Sequence, residues 1–199
     1  MGRTYKVVVG LLVLAGIGYG GWYLYQSHRV QATGILRENV VRDGDIWTAD
    51  FIARIEAPEP QVFDAIENVE SSHSDQVKDV KVVAQGPSTK TVDMTIDGPG
   101  GQPIVTRLKF DFDQPGRRIS YQTIDNPLLD THAQYNLTDE GATTLVTFHQ
   151  TTRMMQEMPV PDALVKGVIR SIFVAQLQGL RKSLNLPETQ QAAGDSDEE

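Results

Sequence analysis

The chain has no cysteine among its 199 residues. That excludes disulfides, a thiol nucleophile, thiolate metal ligands and a lipid-modified cysteine anchor. Histidine is scarce as well. His28, His73, His132 and His149 stand apart, without the short spacing that lets two imidazoles share a metal. By strand alternation His132 and His149 fall on a polar face, so neither is expected to be catalytic. There is no GxSxG elbow and no glycine-rich phosphate loop. Basic residues are outnumbered, with 18 Lys and Arg against 26 Asp and Glu and a net charge of −8. Such a surface does not suit nucleic acid or anionic lipid headgroups. No metal, cofactor or nucleic acid is therefore expected.

What the chain does have is one long uncharged run, residues 7–25. As a helix its roughly 19 residues would span about 28 Å, close to the hydrocarbon thickness of a bilayer. Arg3 and Lys6 precede it; Trp22, Tyr23 and Tyr25 crowd its far end, where such rings favour the lipid–water interface. The rival reading is a cleaved signal peptide, with Val30-Gln31-Ala32 as the small-residue site. The run is too long for that, and bulky aromatics separate it from the site. Residues 1–25 read as a retained single-pass membrane anchor, with the globular part on the extracytoplasmic side. Gly16 and Gly20 have the GxxxG spacing that lets two such helices approach in a homodimer, against the plainer reading that small residues are common in membrane helices. Residues 26–45 read as a juxtamembrane linker with a short strand near Gly34-Ile35-Leu36. At the other end, residues 187–199 are acidic and almost free of apolar side chains, and are expected to be disordered.

Between linker and tail the pattern is that of one domain, 46–186. Trp47, Ala49, Phe51, Ala53 and Ile55 alternate onto one face of a strand, which Ala57-Pro58-Glu59-Pro60 stops. Val62, Phe63, Ile66 and Val69 then recur at helical spacing. Six strand-like segments follow: 77–84, 89–96, 103–113, 117–124, 131–137 and 142–153. Short Gly/Pro/Asp/Asn turns separate them, so neighbours are expected to pair antiparallel. Last comes a helix over 162–185. Leu164, Val165, Val168, Ile169, Ile172, Phe173, Leu177, Leu180 and Leu184 give it an apolar arc of roughly 200°, with Arg170, Gln178 and Arg181 in the remainder. So wide an arc predicts a curved sheet wrapped around it.

This order resembles the helix-grip fold of the START/polyketide-cyclase-like (SRPBCC) superfamily over residues 46–186. Two phrases carry the resemblance. Ile55-Glu56-Ala57-Pro58-Glu59-Pro60-Gln61-Val62-Phe63 looks like the family's strand end and first helix. Tyr135-Asn136-Leu137-Thr138-Asp139-Glu140-Gly141 through Phe148 looks like its late hairpin. The resemblance implies an α+β fold, a curved antiparallel sheet around a long C-terminal helix, enclosing an apolar cavity. Members of the superfamily bind lipids, sterols, quinones or polyketides, and a minority are enzymes.

Alternation and helical phase bring Phe51, Phe110, Phe112, Tyr121, Tyr135, Phe148 and Phe173 to the inside as expected ligand contacts. Tyr121, Tyr135 and Thr123 could give the interior its polar groups. Leu128, Leu129, Met154, Met155 and Met158 lie in or beside loops, and are gate candidates for an apolar ligand. The expected function is membrane-tethered binding or transfer of an apolar small molecule. The alternatives are a cyclase- or isomerase-like enzyme on the same scaffold, and an accessory domain whose own side chains fill the interior.

Overall fold

The structure is a computed structural model, and it describes residues 34–70, 77–97, 103–126, 129–155 and 161–187. The expected membrane anchor, its Gly16/Gly20 contact and nearly all of the acidic tail lie outside the described residues. The described elements run β1 (Ile35–Asp43), β2 (Ile46–Ile55), α1 (Glu59–Glu67), β3 (Val77–Gln85), β4 (Thr89–Asp97), β5 (Pro103–Asp113), β6 (Arg118–Ile124), β7 (Leu129–Asp139), β8 (Thr144–Met154) and α2 (Asp162–Ser183). The strands form one antiparallel sheet in the order β1-β2-β8-β7-β6-β5-β4-β3. Helix α2 lies on its inner face.

Period-two alternation does what it predicts on β2. Trp47, Ala49, Phe51, Ala53 and Ile55 are all buried, while Thr48, Asp50 and Arg54 face outward. Pro60 opens α1, where a missing N–H costs nothing. Val62 and Phe63 bury its inner side. The Thr144 hydroxyl donates to the Ala57 carbonyl at 2.7 Å, and Lys90 Nζ donates to the Glu67 carbonyl at 2.8 Å. These two bonds hold α1 across one end of the sheet.

Three expectations need correction. Ile35–Asp43 of the expected linker form β1, an edge strand paired with β2 along its length. Two of its inward positions, on either side of Val40, carry charge rather than hydrocarbon. Glu38 pairs with Arg170 at 2.6 Å and Arg42 with Asp162 at 2.8 Å, both reaching α2. A register shift between Ile35 and Arg37 further breaks the alternation. Second, the apolar arc of α2 is not sealed throughout: Ile172 is 46% exposed and Val168 is also exposed, whereas Phe173, Leu177 and Leu180 are buried. Third, Arg181 belongs to the buried side. It is only 6% exposed, is hydrogen-bonded to Glu56, and lies against Gly34. In the last turn of α2 its charge also meets the negative end of the helix dipole.

Phe173 stacks on Phe51 at 4.3 Å and on Phe148 at 5.0 Å between ring centroids. Phe173→Ala is therefore expected to destabilise the domain by about 3–5 kcal/mol. Ile172→Ala, one residue away, is expected to cost less than about 0.5 kcal/mol. Urea unfolding of the two variants checks this; equal losses would mean that α2 is rotated from the position described.

Candidate functional site

The register fixes which side chains share the inner face. One row reads Val40, Ala49, Gln150, Ala133, Tyr121, Phe110 and Lys90 across β1, β2, β8, β7, β6, β5 and β4. The adjacent row carries Phe51, Phe148, Tyr135, Ile119 and Phe112. All seven aromatic residues singled out from the sequence are thus inside. Together they form an unbroken path of ring contacts, from Phe112 to Phe110 (6.0 Å), Tyr121 (5.2 Å), Tyr135 (6.3 Å), Phe148 (4.7 Å) and on to Phe173 and Phe51.

The two halves of this interior differ. Under α2 the inward side chains of β2 and most of those of β8 are buried, with Gln150 and Met154 half-buried, and Phe51, Phe148 and Phe173 pack as a closed floor. Towards β3–β6 the inward side chains Val80, Val82, Met94, Leu108 and Thr123 are only half-buried. Helix α2 runs beside β1 and α1, and leaves the far half of the curved sheet less covered.

Polar groups concentrate at this boundary. The Tyr135 hydroxyl donates to Gln176 Oε1 at 2.9 Å. Burial pushes the Tyr121 phenol up to about 12, the nearby Gln176 amide drawing it back in part. Tyr135 rises well above the ordinary phenol range, first through burial and then through its neighbour Tyr121. Beyond the small Ala133 side chain, Gln150 Nε2 donates to Thr152 Oγ1 at 2.8 Å. The Thr152 and Thr131 hydroxyls meet at 3.1 Å, and the Thr131 N–H donates to Thr123 Oγ1 at 2.9 Å.

The sequence reading found Tyr121, Tyr135 and Thr123 but missed Gln176, Gln150, Thr131 and Thr152. Gln176 was detectable: it sits three residues after Phe173 and four before Leu180, within the buried stripe of α2. Gln150 lies two residues from Phe148 and shares its face.

Leu129 and Met154 face each other across β7 and β8, both half-buried, and Met155 is exposed beside them. They sit at the end of the sheet where α2 begins, opposite α1. Leu128 and Met158 lie outside the described residues. His132 and His149 face outward, paired with Asp130 at 3.2 Å and Asp50 at 2.7 Å. Arg107 binds Asp93 in a two-point ion pair on the same outer face, away from the interior. Among the described residues no group of three acidic or imidazole side chains is placed to hold a metal.

Neutral buried tyrosines make a pH signature. Each has a phenol held above its unfolded value of about 10, so the stability each confers is complete below pH ~10 and falls as pH rises towards the folded value. Unfolding free energy is expected to drop above pH 10 with a slope of up to about 1.4 kcal/mol per pH unit for each tyrosine. Denaturant titrations from pH 9 to 11.5 check it: Tyr121→Phe/Tyr135→Phe should flatten the slope, and an unchanged slope would contradict the burial.

No protein-family model and no curated protein sequence matches the chain. Solved structures do match. TTHA0849 from Thermus thermophilus superposes with a TM-score of 0.55 at 16% identity, over 69% of this chain and 93% of its own. The Zhui aromatase/cyclase from Streptomyces sp. R1128 gives 0.55 at 14% identity, over 75% of this chain and 98% of its own. The structure of Ara h 8.0201 gives 0.55 at 14%, over 70% and 99%. The sheet order, the helix on its inner face and these superpositions agree on the fold, a curved antiparallel sheet gripping a long C-terminal helix.

Proposed function

We propose that this chain binds an apolar small molecule, between α2 and the β3–β6 half of the sheet, while tethered to a membrane. One observation carries the reading. Inward-facing Val80, Val82, Met94, Leu108 and Thr123 are half-buried beside the buried aromatic wall, whereas Phe51, Phe148 and Phe173 are sealed under α2. Phe110, Phe112, Tyr121 and Tyr135 would form the ligand wall, with Phe51, Phe148 and Phe173 as its floor. Apolar burial would supply the driving force, about 25 cal/mol per Å². The few polar groups would orient the ligand. Leu129, Met154 and Met155 would line the entrance.

The tether is read from residues 7–25, whose length and lack of charge suit a bilayer. The domain would then lie on the extracytoplasmic side. The chain enters the domain at Gly34, beside Arg54 and Arg181, whereas the proposed entrance is at the far end of β1. The eight residues 26–33 reach at most about 28 Å when extended. In this reading the entrance points away from the bilayer, towards whatever delivers or receives the ligand.

A second reading, a cyclase- or isomerase-like enzyme, draws on one feature of the site. A tyrosine that stays neutral in a buried position could polarise a ligand carbonyl.

A chain shortened to residues 26–199 is expected to bind a fluorescent fatty acid, sterol or quinone analogue. Ala133→Trp, placed between Gln150 and Tyr121, should weaken that binding about tenfold, with a stability loss below about 1 kcal/mol if the interior is open. No binding, together with a loss of about 3 kcal/mol or more, would favour the accessory-domain reading. Sequencing of the mature N-terminus tests the tether: a start at Thr33 would remove it.

A further inference from the structure

The wide apolar arc of α2 resolves into two stripes. Ile169, Phe173, Leu177, Leu180 and Leu184 face the sheet and pack in or against the core. Val165, Val168, Ile172, Ala175 and Gly179 follow one another at intervals of three, four, three and four residues. At about 100° per residue they form a second stripe, centred roughly 120° around the helix from the first. Such spacing is the seam along which two helices pair. Arg170 and Arg181, which reach Glu38 and Glu56, lie on the far side of the helix from it. Neither β1 nor the end of β2 therefore covers this stripe.

Exposure along the stripe is graded. Val168 and Ile172 are 43% and 46% exposed. Further on, Ala175 is 4% exposed and Gly179 is buried, yet Ala175 stands outside the core under α2. That end is where the chain enters the domain, because Gly34 lies against Arg181. The residues ahead of Gly34 include the one long uncharged run of the chain, residues 7–25. As a helix it would be about 28 Å long, against about 21 Å for the stripe from Val165 to Gly179. The linker 26–33, extending to at most about 28 Å, can bring the run alongside α2. Gly16 and Gly20 share the four-residue spacing of Ala175 and Gly179, and small residues let two helix backbones approach.

We propose that the second stripe of α2 is a seat for residues 7–25 of the same chain, which shields that run whenever no bilayer holds it. This goes beyond the tether proposed above and keeps it as one of two states. The balance between bilayer and seat then sets whether the chain is membrane-bound. The run ends towards Gly34 and so does α2, so the two helices lie parallel. Gly16 comes opposite Ile172, and Gly20 opposite Ala175 and Gly179. Exposed hydrocarbon on both helices leaves water in one contact, at about 25 cal/mol per Å².

The test uses the full chain, whose lack of cysteine makes any introduced pair the only thiols present. Gly16→Cys with Ile172→Cys is treated with a short bismaleimide, in detergent-free buffer and again in phosphatidylcholine vesicles. Gly16→Cys with Gln178→Cys is the control, since Gln178 is exposed on another side of α2. In buffer the first pair is expected to link within one chain roughly fivefold faster than the control or more, through its higher effective concentration. In vesicles the link should be lost. A link that persists in vesicles would keep the seat and overturn the tether. Links only between two chains, or no faster than the control, would overturn the seat and leave the tether standing. So would a full chain that precipitates in detergent-free buffer. Ile172→Glu is a second probe: it puts a charge in the seat at a position exposed enough to spare the fold. It is expected to raise partition of the full chain into the vesicles by roughly 3- to 10-fold. Unchanged partition would overturn the seat.

Discussion

The stack of Phe173 between Phe51 and Phe148 fixes how α2 is turned over the sheet. With ring centroids 4.3 and 5.0 Å away, the helix has one rotation that keeps both contacts. The polar contacts that α2 itself makes follow from that rotation. Gln176 comes round to the Tyr135 hydroxyl, and Arg181, two turns on from Phe173, is carried inward to Glu56. Ile172 and Val168 are turned out to solvent by the same setting. Arg181 keeps two buried nitrogens without a hydrogen-bond partner, which a helix free to rotate would not tolerate. The stacked rings hold it there against that cost.

A second consequence is asymmetry. Ion pairs from β1 draw α2 towards one edge: Arg42 to Asp162 at its first turn and Glu38 to Arg170 near its middle. These pairs are partly exposed and individually weak. Their effect is geometric, since they place the helix over β1, β2 and β8 rather than over the sheet's centre. The half left less covered is the half in which Leu108, Met94 and Val82 remain half-buried. An N-terminal strand added beside β2 thus shapes the opposite side of the interior.

Much of this was legible in the sequence, because the sheet is built from strands whose alternation is clean and whose ends carry Gly, Pro or Asx turns. The limits of β4, β5 and β6 fall within one residue of the segments read from the pattern. The seven interior aromatics follow from the same alternation. What failed did so for identifiable reasons. Strand β1 has no period because its inward positions bond to a helix 120 residues or more away, as Arg42 does to Asp162. An arc drawn from hydropathy could not separate Ile172 from Phe173, since both are apolar and only the partner surface decides. The same arc put Arg181 outside because its formal charge hid a side chain that ends up buried. Gln176 and Gln150 escaped because a polar residue at an inward position looks like an interruption until a partner is seen.

Those interior polar groups bear on the choice between a filled core and a binding site. The domain already has a sealed apolar core on β2, β8 and α2, and buried amides and hydroxyls add little net stability to it. Each must instead be satisfied, or it costs free energy. Phe at 121 or 135 would bury as much hydrocarbon without that demand. Yet the chain places two phenols, two primary amides and three threonines along the boundary between its closed and open halves, and joins most of them in hydrogen-bonded chains. Stability alone gives no reason for such an arrangement. Recognition does: groups held at fixed positions beside accessible apolar surface can discriminate between ligands of the same shape by their polar atoms.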